Sequence, residues 1–584
     1  MTLKTPAALT PALLFALLCA APALAKSPVA TGTGGAVATI SEKASESALK
    51  ILNQGGNAVD AAVAAAATLG VTDPFSCGIG GGGFMVIYLA KENRVITIDH
   101  RETAPLADTA HSFEQDGKAM DFDTVVESGM SVGVPGTVRG WNEALQRYGT
   151  MSFKQVLAPA IEVANKGYPV TEIFHRLTQG NESKFSKFPA TAAIYLKDGK
   201  AKPVGSIIRN PDLARSYQAI AKGGYKAFYS GPMAKAIVDA VNHPATAPGV
   251  KVAGGGMTLA DLSNYEARIR QPVHTTYRGY DIYGMPVPSS GGVTVLEALN
   301  ILEGYDLKSM PRERAEHLYI EAARLAFADR NAYLGDPEYA DVPVEGLLNK
   351  QYAAQRRALI PLDRALGVMP AGDPFAFQAD PSHPLLPQAT AQRPESAHTT
   401  HLAVSDKDGN IVAYTFTIES WGGSGIMVPG YGFILNNELT DFDFSGPHPN
   451  VIESGKRPRS SMAPTIAFKN GKPAFTVGSP GGASIITTVL QTIFNYVDLG
   501  LPMDQAVNAP RISSRNGPTI EIEEGFAGTA QAKALAAYGY SWDPDAGEIG
   551  AANAIVFNPD GTVTAVSEGK RHGVGTALVQ RPAH

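Results

Sequence analysis

The chain has 584 residues, of which 44% are hydrophobic and 18% are charged, and its net charge is −6. This composition is typical of a globular protein with a large core. No basic tract is present, so nucleic acid is not an expected partner. After the N-terminus, no stretch is long and apolar enough to predict a membrane span in the mature protein.

The N-terminus has the pattern of a secretory signal peptide. Lys4 precedes a short apolar run at 13–21, and Ala23-Leu24-Ala25 fits the small-x-small cleavage rule. We therefore expect a signal peptide over 1–25 and a location in the periplasm, with the medium as the alternative. An uncleaved membrane anchor is the other reading of this segment.

The mature chain would then contain one cysteine, Cys77. A single cysteine allows no internal disulfide, and it argues against a cysteine-histidine metal cluster. We expect neither a metal nor a cofactor.

Hydrophobic periodicity and turn residues predict helices and strands along the chain. An alternating segment covers 29–40. Predicted helices cover 44–52, 58–69, 144–148, 153–166, 212–220, 315–333 and 483–496. Predicted strands cover 85–90, 95–100, 400–404, 411–418, 466–468 and 474–477.

The glycine-rich segment 78–83 satisfies the dinucleotide-binding pattern G-x-G-x-x-G literally. That pattern requires a strand before the glycines and a helix after them, so that phosphate meets the helix N-terminus. Here Pro74 interrupts the approach and a predicted strand follows. We interpret the segment as a turn that allows close backbone packing.

A proline-rich segment at 361–398 predicts an exposed, mobile linker, because seven prolines fall within it. A predicted strand begins directly afterwards. Cleavage between His398 and Thr399 would make Thr399 a new N-terminus. Its α-amine, with a pKa near about 8, could then activate the hydroxyl of the same residue as a nucleophile.

Several motifs resemble those of the γ-glutamyltranspeptidase family over essentially the whole mature chain. In the C-terminal part they are Thr399-Thr400-His401, Asp406 to Asn410, Leu435-Asn-Asn437, Asp441-Phe442, Gly455 to Pro458, Ser460 to Thr465 and Gly478 to Gly482. In the N-terminal part they are Gly78 to Phe84, Arg101 to Pro105, Gly133 to Thr137, Ala328 to Arg330 and Tyr333 to Pro337.

The resemblance implies an α+β fold, the four-layer αββα sandwich of the N-terminal nucleophile hydrolases. It also implies a zymogen that cleaves itself autocatalytically into a large subunit, 26–398, and a small catalytic subunit, 399–584. Both would build one core and remain together as a heterodimer. The implied substrates are glutathione and other γ-glutamyl amides, with water, amino acids or peptides as acceptors.

The resemblance also implies roles for individual residues. Thr399 is the nucleophile, Thr417 orients it, and the N–H groups of Gly481 and Gly482 hold the oxyanion. Arg101 binds the α-carboxylate of the donor, with hydroxyl groups from Ser460 and Ser461. The carboxylates that surround the α-ammonium are Glu419, Glu438 and Asp441. Many relatives carry asparagine and glutamine where this chain has Glu419 and Glu438, so the detailed hydrogen bonding differs.

One feature of the chain bears on the balance between hydrolysis and transfer. The stretch between Asp441 and Ser460 is shorter than in many relatives, which predicts an open acceptor side and substantial hydrolysis.

The nearest alternative function is that of an acylase of the same fold that removes glutaryl side chains from β-lactams. Three carboxylates at the site argue against it, because a glutaryl group has no ammonium. A non-catalytic periplasmic binding protein is the third alternative.

Overall fold

The computed structural model describes residues 27–379, 398–543 and 547–583. The predicted signal peptide, 1–25, and the later part of the proline-rich segment, 380–397, lie outside the described residues.

The strands and helices are labelled in chain order. The strands are β1 (Val29–Thr39), β2 (Gly82–Leu89), β3 (Arg94–Asp99), β4 (Glu114–Gln115), β5 (Lys118–Ala119), β6 (Tyr168–Pro169), β7 (Leu196–Lys197), β8 (Lys200–Ala201), β9 (Ile207–Ile208), β10 (Arg268–Arg270), β11 (Val273–Tyr277), β12 (Tyr280–Gly284), β13 (Thr400–Ser405), β14 (Ile411–Thr417), β15 (Thr465–Lys469), β16 (Lys472–Gly478), β17 (Ile512–Ser513), β18 (Ile520–Ile522), β19 (Trp542–Asp543), β20 (Asn553–Phe557), β21 (Val563–Val566) and β22 (Thr576–Pro582). The helices are α1 (Glu42–Asn53), α2 (Ala58–Thr72), α3 (Phe122–Val126), α4 (Thr137–Tyr148), α5 (Phe153–Val156), α6 (Ala158–Lys166), α7 (Glu172–Gly180), α8 (Glu182–Ser186), α9 (Pro189–Tyr195), α10 (Pro211–Gly223), α11 (Lys226–Tyr229), α12 (Gly231–Asn242), α13 (Leu259–Asn264), α14 (Ser290–Leu302), α15 (Arg312–Tyr333), α16 (Val344–Leu347), α17 (Lys350–Arg357), α18 (Ser484–Val497), α19 (Met503–Asn508), α20 (Glu524–Ala527) and α21 (Ala530–Ala536).

One large antiparallel sheet forms the centre of a mixed α/β structure. Its strand order is β10-β3-β2-β14-β13-β1-β21-β20-β16-β15-β12-β11, and β22 also pairs with β1. Strand β1 is shared: Val29–Gly32 pair with β21, whereas Ala36–Ala38 pair with both β13 and β22. Strands from both ends of the chain therefore lie side by side, and neither end can form its sheet alone.

The strands around β2 and β14 are buried on both faces. Met85 and Ile87 belong to the apolar cluster that contains the side chains of α2, whereas Phe84 and Val86 belong to the cluster that contains those of α14, α15 and α18. Because successive side chains of a strand point to opposite faces, such a strand must be apolar throughout. This explains the uninterrupted apolar run from Phe84 to Leu89.

The predicted helices and strands are present, with two differences. The helix predicted over 153–166 is two helices, α5 and α6, which meet at Leu157. Pro159 lies in the first turn of α6, where its missing N–H is tolerated, but it cannot sit inside a continuous helix. The glycine turn at 78–83 is followed by β2, so the dinucleotide pattern has no helix after it.

The second difference concerns the proline-rich segment, because residues 361–379 make tertiary contacts although about half of them, including Leu362 and Val368, are exposed. The amide of Ala365 donates to the carbonyl of Tyr538 at 2.7 Å, and the amide of Gly372 donates to Asp329 at 2.7 Å. Phe375 is buried in the second apolar cluster. The exposure predicted for this part is thus found for about half of its residues, and its mobility stays a prediction.

Asp60 joins the N-terminus of α2 to the loop after α4. Its fully buried carboxylate accepts hydrogen bonds from the amides of Asn57, Thr150 and Met151 at 2.9–3.1 Å, and from the Thr150 hydroxyl at 2.6 Å. Asn57 in turn caps the helix through its side chain. One carboxylate thus satisfies four donors and completes a capping box.

We expect Asp60→Ala to lower the midpoint of thermal unfolding by about 2–3 °C, because four donors lose their acceptor. Differential scanning calorimetry measures the shift. Asp408→Ala is the matched control, since Asp408 is exposed and its side chain, within the described part of the chain, pairs with Lys407 alone. Equal midpoints for the two variants would contradict this account of Asp60.

Candidate active site

The pairing of β13 with β14 positions Thr399. Thr400 is the first residue of β13 and pairs with Phe416, so Thr399 lies beside Thr417, the last residue of β14. The Thr399 hydroxyl donates to the carbonyl of His398 at 2.6 Å and lies 3.4 Å from the Thr417 hydroxyl. The Thr417 hydroxyl donates to the same carbonyl at 2.9 Å. Two hydroxyl groups therefore converge on the peptide bond before Thr399.

A small cavity opens in front of this pair. The sequence predicted eleven residues for the site, and all of them lie in the described parts of the chain. Ten of the eleven line this cavity. They are Arg101, His398, Thr399, Thr417, Glu419, Glu438, Asp441, Ser460, Ser461 and Gly482. Met462 and Ile485 complete the lining, and Gly481 lies next to it in the chain without lining it.

Arg101 is fully buried, and its guanidinium is held by several acceptors. It forms ion pairs with Glu438 and Asp441, and it donates to the carbonyls of Pro458 and Arg459 at 3.2 and 3.0 Å. These contacts use four of its five N–H groups. The sequence predicted a bidentate contact of Arg101 with a carboxylate. Such a contact requires that one of these four hydrogen bonds breaks.

Glu419 has a buried carboxyl group and lies two residues after Thr417, the last residue of β14. Burial raises its pKa to about 8, and the nearby Asp441 carboxylate adds to the rise. Hydrogen bonds from the Ser420 hydroxyl, at 2.6 Å, and from the side-chain amide of Asn437 act in the opposite direction. At neutral pH this carboxyl is mostly protonated, and a positive charge beside it would favour ionisation.

Ser460 and Ser461 are held against the start of α14 and the end of α15. The amide and hydroxyl of Ser290 donate to the carbonyl of Ser460 at 2.7 and 2.6 Å. The hydroxyl of Ser461 accepts from Arg330 at 2.6 Å. Ser460 and Ser461 both line the cavity.

The turn Gly481-Gly482 leads into α18. Gly482 has φ of 55° and Gly481 has φ of 138°, values that favour glycine. Among the described residues, neither of the two amides donates a hydrogen bond within the protein. Two free N–H groups near the start of a 14-residue helix form a favourable place for negative charge.

Sequence reasoning missed several residues that hold the site in place. Asn450 is fully buried, and its side chain donates to the carbonyl of Asp441 at 2.7 Å while accepting from the amide of Arg459 at 2.7 Å. It thus joins the segment of Asp441 to the segment whose carbonyl holds Arg101. Asn437 and Arg330 lie inside motifs that the sequence analysis quoted without assigning a role. No comparable signal marks Asn450.

Within residues 27–379, 398–543 and 547–583, no group of three or more histidine, cysteine, aspartate or glutamate side chains is placed to hold a metal ion. No helix in the same residues has the length and apolarity needed to cross a bilayer. Cys77 is buried and forms no disulfide with any of them.

Comparisons with known proteins agree with this geometry. A sequence model described as gamma-glutamyltranspeptidase matches residues 44–578. The chain is 40% identical over 554 residues to the glutathione hydrolase proenzyme of Bacillus subtilis (strain 168), covering 94% of this chain and 92% of that protein. It is 38% identical over 562 residues to the acylase ACY 1 proenzyme of Pseudomonas sp. (strain SE83), covering 94% of each.

Among solved structures, the cephalosporin acylase from Bacillus halodurans superimposes with a TM-score of 0.83 at 28% identity, covering 97% of this chain and 99% of that one. This likeness extends over nearly the full length, as the sequence matches do. The family match, the relatives and the arrangement around Thr399 together show that the chain belongs to the γ-glutamyltranspeptidase family.

Proposed function

We propose that the protein is a self-processing γ-glutamyl hydrolase and transferase that acts on glutathione and other γ-glutamyl amides. One observation carries the proposal: the Thr399 hydroxyl and the cluster of Arg101 with its acidic partners line the same cavity. A nucleophile and a site for a zwitterionic head group are therefore within reach of one small substrate. The 40% identical relative is named a glutathione hydrolase proenzyme, which agrees with this function.

Maturation begins with the peptide bond between His398 and Thr399. The Thr399 hydroxyl, which contacts the His398 carbonyl at 2.6 Å, attacks that carbonyl carbon. The bond from this carbon to the Thr399 nitrogen breaks as the nitrogen takes the hydroxyl proton, and water then hydrolyses the resulting ester. The products are a large fragment that ends at His398 and a small one that begins at Thr399. They remain associated, because β13 of the small fragment pairs with β1 of the large one. We further propose the four-layer αββα arrangement and export to the periplasm.

The donor binds through its zwitterionic end. Its α-carboxylate takes N–H groups of Arg101 and the hydroxyls of Ser460 and Ser461, and its α-ammonium takes over contacts with Glu438 and Asp441. The ammonium thus replaces part of the positive charge that Arg101 supplies to these acids in the free protein. The exchange keeps the buried charges balanced, which low-dielectric surroundings require.

Chemistry then proceeds at the γ-carbonyl. The free amine of Thr399 accepts the hydroxyl proton while the oxygen attacks the carbonyl carbon. The resulting oxyanion is stabilised by the N–H groups of Gly481 and Gly482. The bond to the leaving amine breaks as that amine takes the proton, which leaves a γ-glutamyl ester on Thr399. Water releases glutamate, and an amino acid or peptide forms a new γ-glutamyl amide.

A glutaryl acylase is the second candidate, because relatives of this chain include an acylase proenzyme at 38% identity. The carboxylates favour the glutamyl reading. Glu438 is buried and Glu419 lies at the cavity with its pKa raised by burial. Burying such groups is unfavourable unless a positive charge joins them, and a glutaryl group brings none.

We expect Thr399→Ala to remain a single chain and to hydrolyse no γ-glutamyl anilide. Thr399→Ser should be cleaved and retain part of the activity, since it keeps the hydroxyl. N-terminal sequencing and an anilide assay on the same sample measure both steps. The control is Thr400→Val, because the Thr400 hydroxyl has no hydrogen-bond partner among the described residues. A cleaved and active Thr399→Ala protein would refute the proposal.

The donor preference separates the two candidate functions. We expect kcat/KM for a γ-glutamyl anilide to exceed that for the glutaryl anilide by about 10²-fold or more, because a bound glutaryl carboxylate draws Arg101 from Glu438 and Asp441 and brings no ammonium to replace it. Asp441→Asn should reduce this ratio, whereas Glu453→Gln, at an exposed carboxylate outside the cavity lining, should not. Comparable rates on both anilides would favour the acylase.

The raised pKa of Glu419 predicts a pH dependence of ligand binding. Below its pKa of about 8 the carboxyl is neutral, and ionisation favours binding of an ammonium group. The affinity for L-glutamate should therefore increase roughly tenfold from pH 6.5 to 8 and then level off. Calorimetric titration of the mature protein measures it. In Glu419→Gln the increase should largely disappear; an unchanged profile would show that another group titrates.

A further inference from the structure

A second cavity, of about 150 Å³, opens between the start of α1, the segment after α2 and the start of α7. Its walls are mostly apolar, with Ile40, Phe75, Phe174 and Leu177 among the lining residues. It shares no lining residue with the cavity at Thr399. A cavity of this size can hold a small organic molecule, and we call it the α1–α7 cavity.

Two buried polar side chains line this cavity with unused hydrogen-bonding capacity. Asp73 is 8% exposed and Tyr168 is 6% exposed. Asp73 Oδ1 accepts from the Ser76 hydroxyl at 3.1 Å, but Asp73 Oδ2 and the Tyr168 hydroxyl have no hydrogen-bond partner among the described residues. Buried polar atoms are rarely left unpaired, so a ligand group is the natural partner for both.

The charges around the cavity favour a cation over an anion. Asp73 and Glu42 are its acidic residues, and its one lysine, Lys43, already pairs with Glu46 at 2.8 Å. His572 also lines the cavity, and burial lowers its pKa, so it is neutral at pH 7. The charge left uncompensated at pH 7 is that of Glu42, and Asp73, which is neutral in the free protein, adds a second negative charge when a cation displaces its proton. A carboxylate ligand would meet repulsion where an ammonium group would meet attraction.

Aromatic rings strengthen this preference. The rings of Phe75 and Phe174 are 4.7 Å apart in an edge-to-face arrangement, and Tyr168 packs on Phe174 at 5.6 Å. Aromatic faces attract cations through their quadrupole and also bury apolar chains. The cavity wall can therefore contact both the ammonium group and the apolar chain of an amphipathic amine.

We propose that the α1–α7 cavity is a binding site for an amphipathic primary amine. The ammonium group lies against Asp73 and the Tyr168 hydroxyl, and the apolar body packs on Phe75, Phe174 and Leu177. This site is separate from the one that binds the γ-glutamyl donor, and the proposal goes beyond the function proposed above.

Binding of the amine displaces a proton from Asp73. Burial raises the pKa of this carboxyl to about 8, so it is largely protonated at pH 7 in the free protein. An ammonium group beside it stabilises the ionised form. Formation of the complex at pH 7 therefore releases close to one proton per site, which goes to the buffer.

The cavity is linked to the Thr399 site through the backbone. Asp73 holds the turn that contains Ser76, and the carbonyl of Ser76 accepts from the amide of Ile418 at 3.1 Å. The carbonyl of Phe75 accepts from the amide of Gly422 at 2.8 Å. Glu419 lies between these two anchored residues. A ligand that contacts Asp73 and Phe75 therefore touches the segment that supports Glu419.

The experiment compares two probes of equal length, hexylamine and hexan-1-ol, by calorimetric titration of the mature protein at pH 7. We expect hexylammonium to bind about tenfold more tightly than hexan-1-ol, because only the amine pairs with Asp73. Titrations in two buffers with different ionisation enthalpies measure the released proton. Equal affinities for the two probes, or no binding of either, would overturn the proposal.

Two variants assign the binding to this cavity. Asp73→Asn should abolish both the preference for the amine and the proton release while leaving binding of hexan-1-ol. Leu177→Trp fills the cavity and should remove binding of both probes; it also serves as the test if Asp73→Asn does not fold, as thermal unfolding would reveal. Hexylammonium binding that persists in Leu177→Trp lies elsewhere and refutes the assignment.

Discussion

The antiparallel pairing of β13 with its neighbours is the constraint on which the site depends. Strand β13 lies between β1 and β14 in the interior of the sheet, and all of its residues are buried. A strand held on both edges leaves its first residue little freedom. Thr399 is consequently fixed beside Thr417, and both hydroxyls contact the carbonyl of His398. A nucleophile positioned in this way needs no mobile loop to bring it to its target.

The same pairing explains why the two segments of the chain depend on each other. β1 and β2 come from the N-terminal part and pair with β13 and β14 from the C-terminal part. The residues that line the cavity divide in the same way, since Arg101 follows β3 whereas its acidic partners follow β14. Cleavage of the peptide bond before Thr399 would leave these interstrand hydrogen bonds intact, because none of them involves that peptide bond.

A second constraint is the balance of buried charge. Arg101 is fully buried with Glu438 and Asp441 as counter-ions, and burial of Glu419 keeps its pKa high. Removing one partner from such a group is far more costly than the net contribution of the group to stability. The arrangement is therefore suited to a ligand that carries both charges itself. Asn450 and Asn437, which hold the acidic segment by hydrogen bonds, preserve this geometry.

Local patterns identified most elements correctly, because burial periodicity and turn residues act over short distances. The apolar run of β2, the capped helix α2 and the hairpin of β15 and β16 follow from neighbouring residues alone. The helix over 153–166 was predicted as one piece because Pro159 was given too little weight. The prolines of 361–379 predicted an exposed linker, but they say nothing about distant contacts such as that of Ala365 with Tyr538.

By itself, the sequence determined the family and led to the proposal of Thr399 as the nucleophile, since both follow from motifs that are contiguous in the chain. Only the tertiary structure decided that Arg101 meets Glu438, 337 positions later, and that its guanidinium is already occupied before a ligand arrives. It alone also revealed the pKa of Glu419, the role of Asn450 and the α1–α7 cavity. The physical reason is that burial, charge pairing and enclosed volume arise from segments distant in sequence, and no local pattern encodes them.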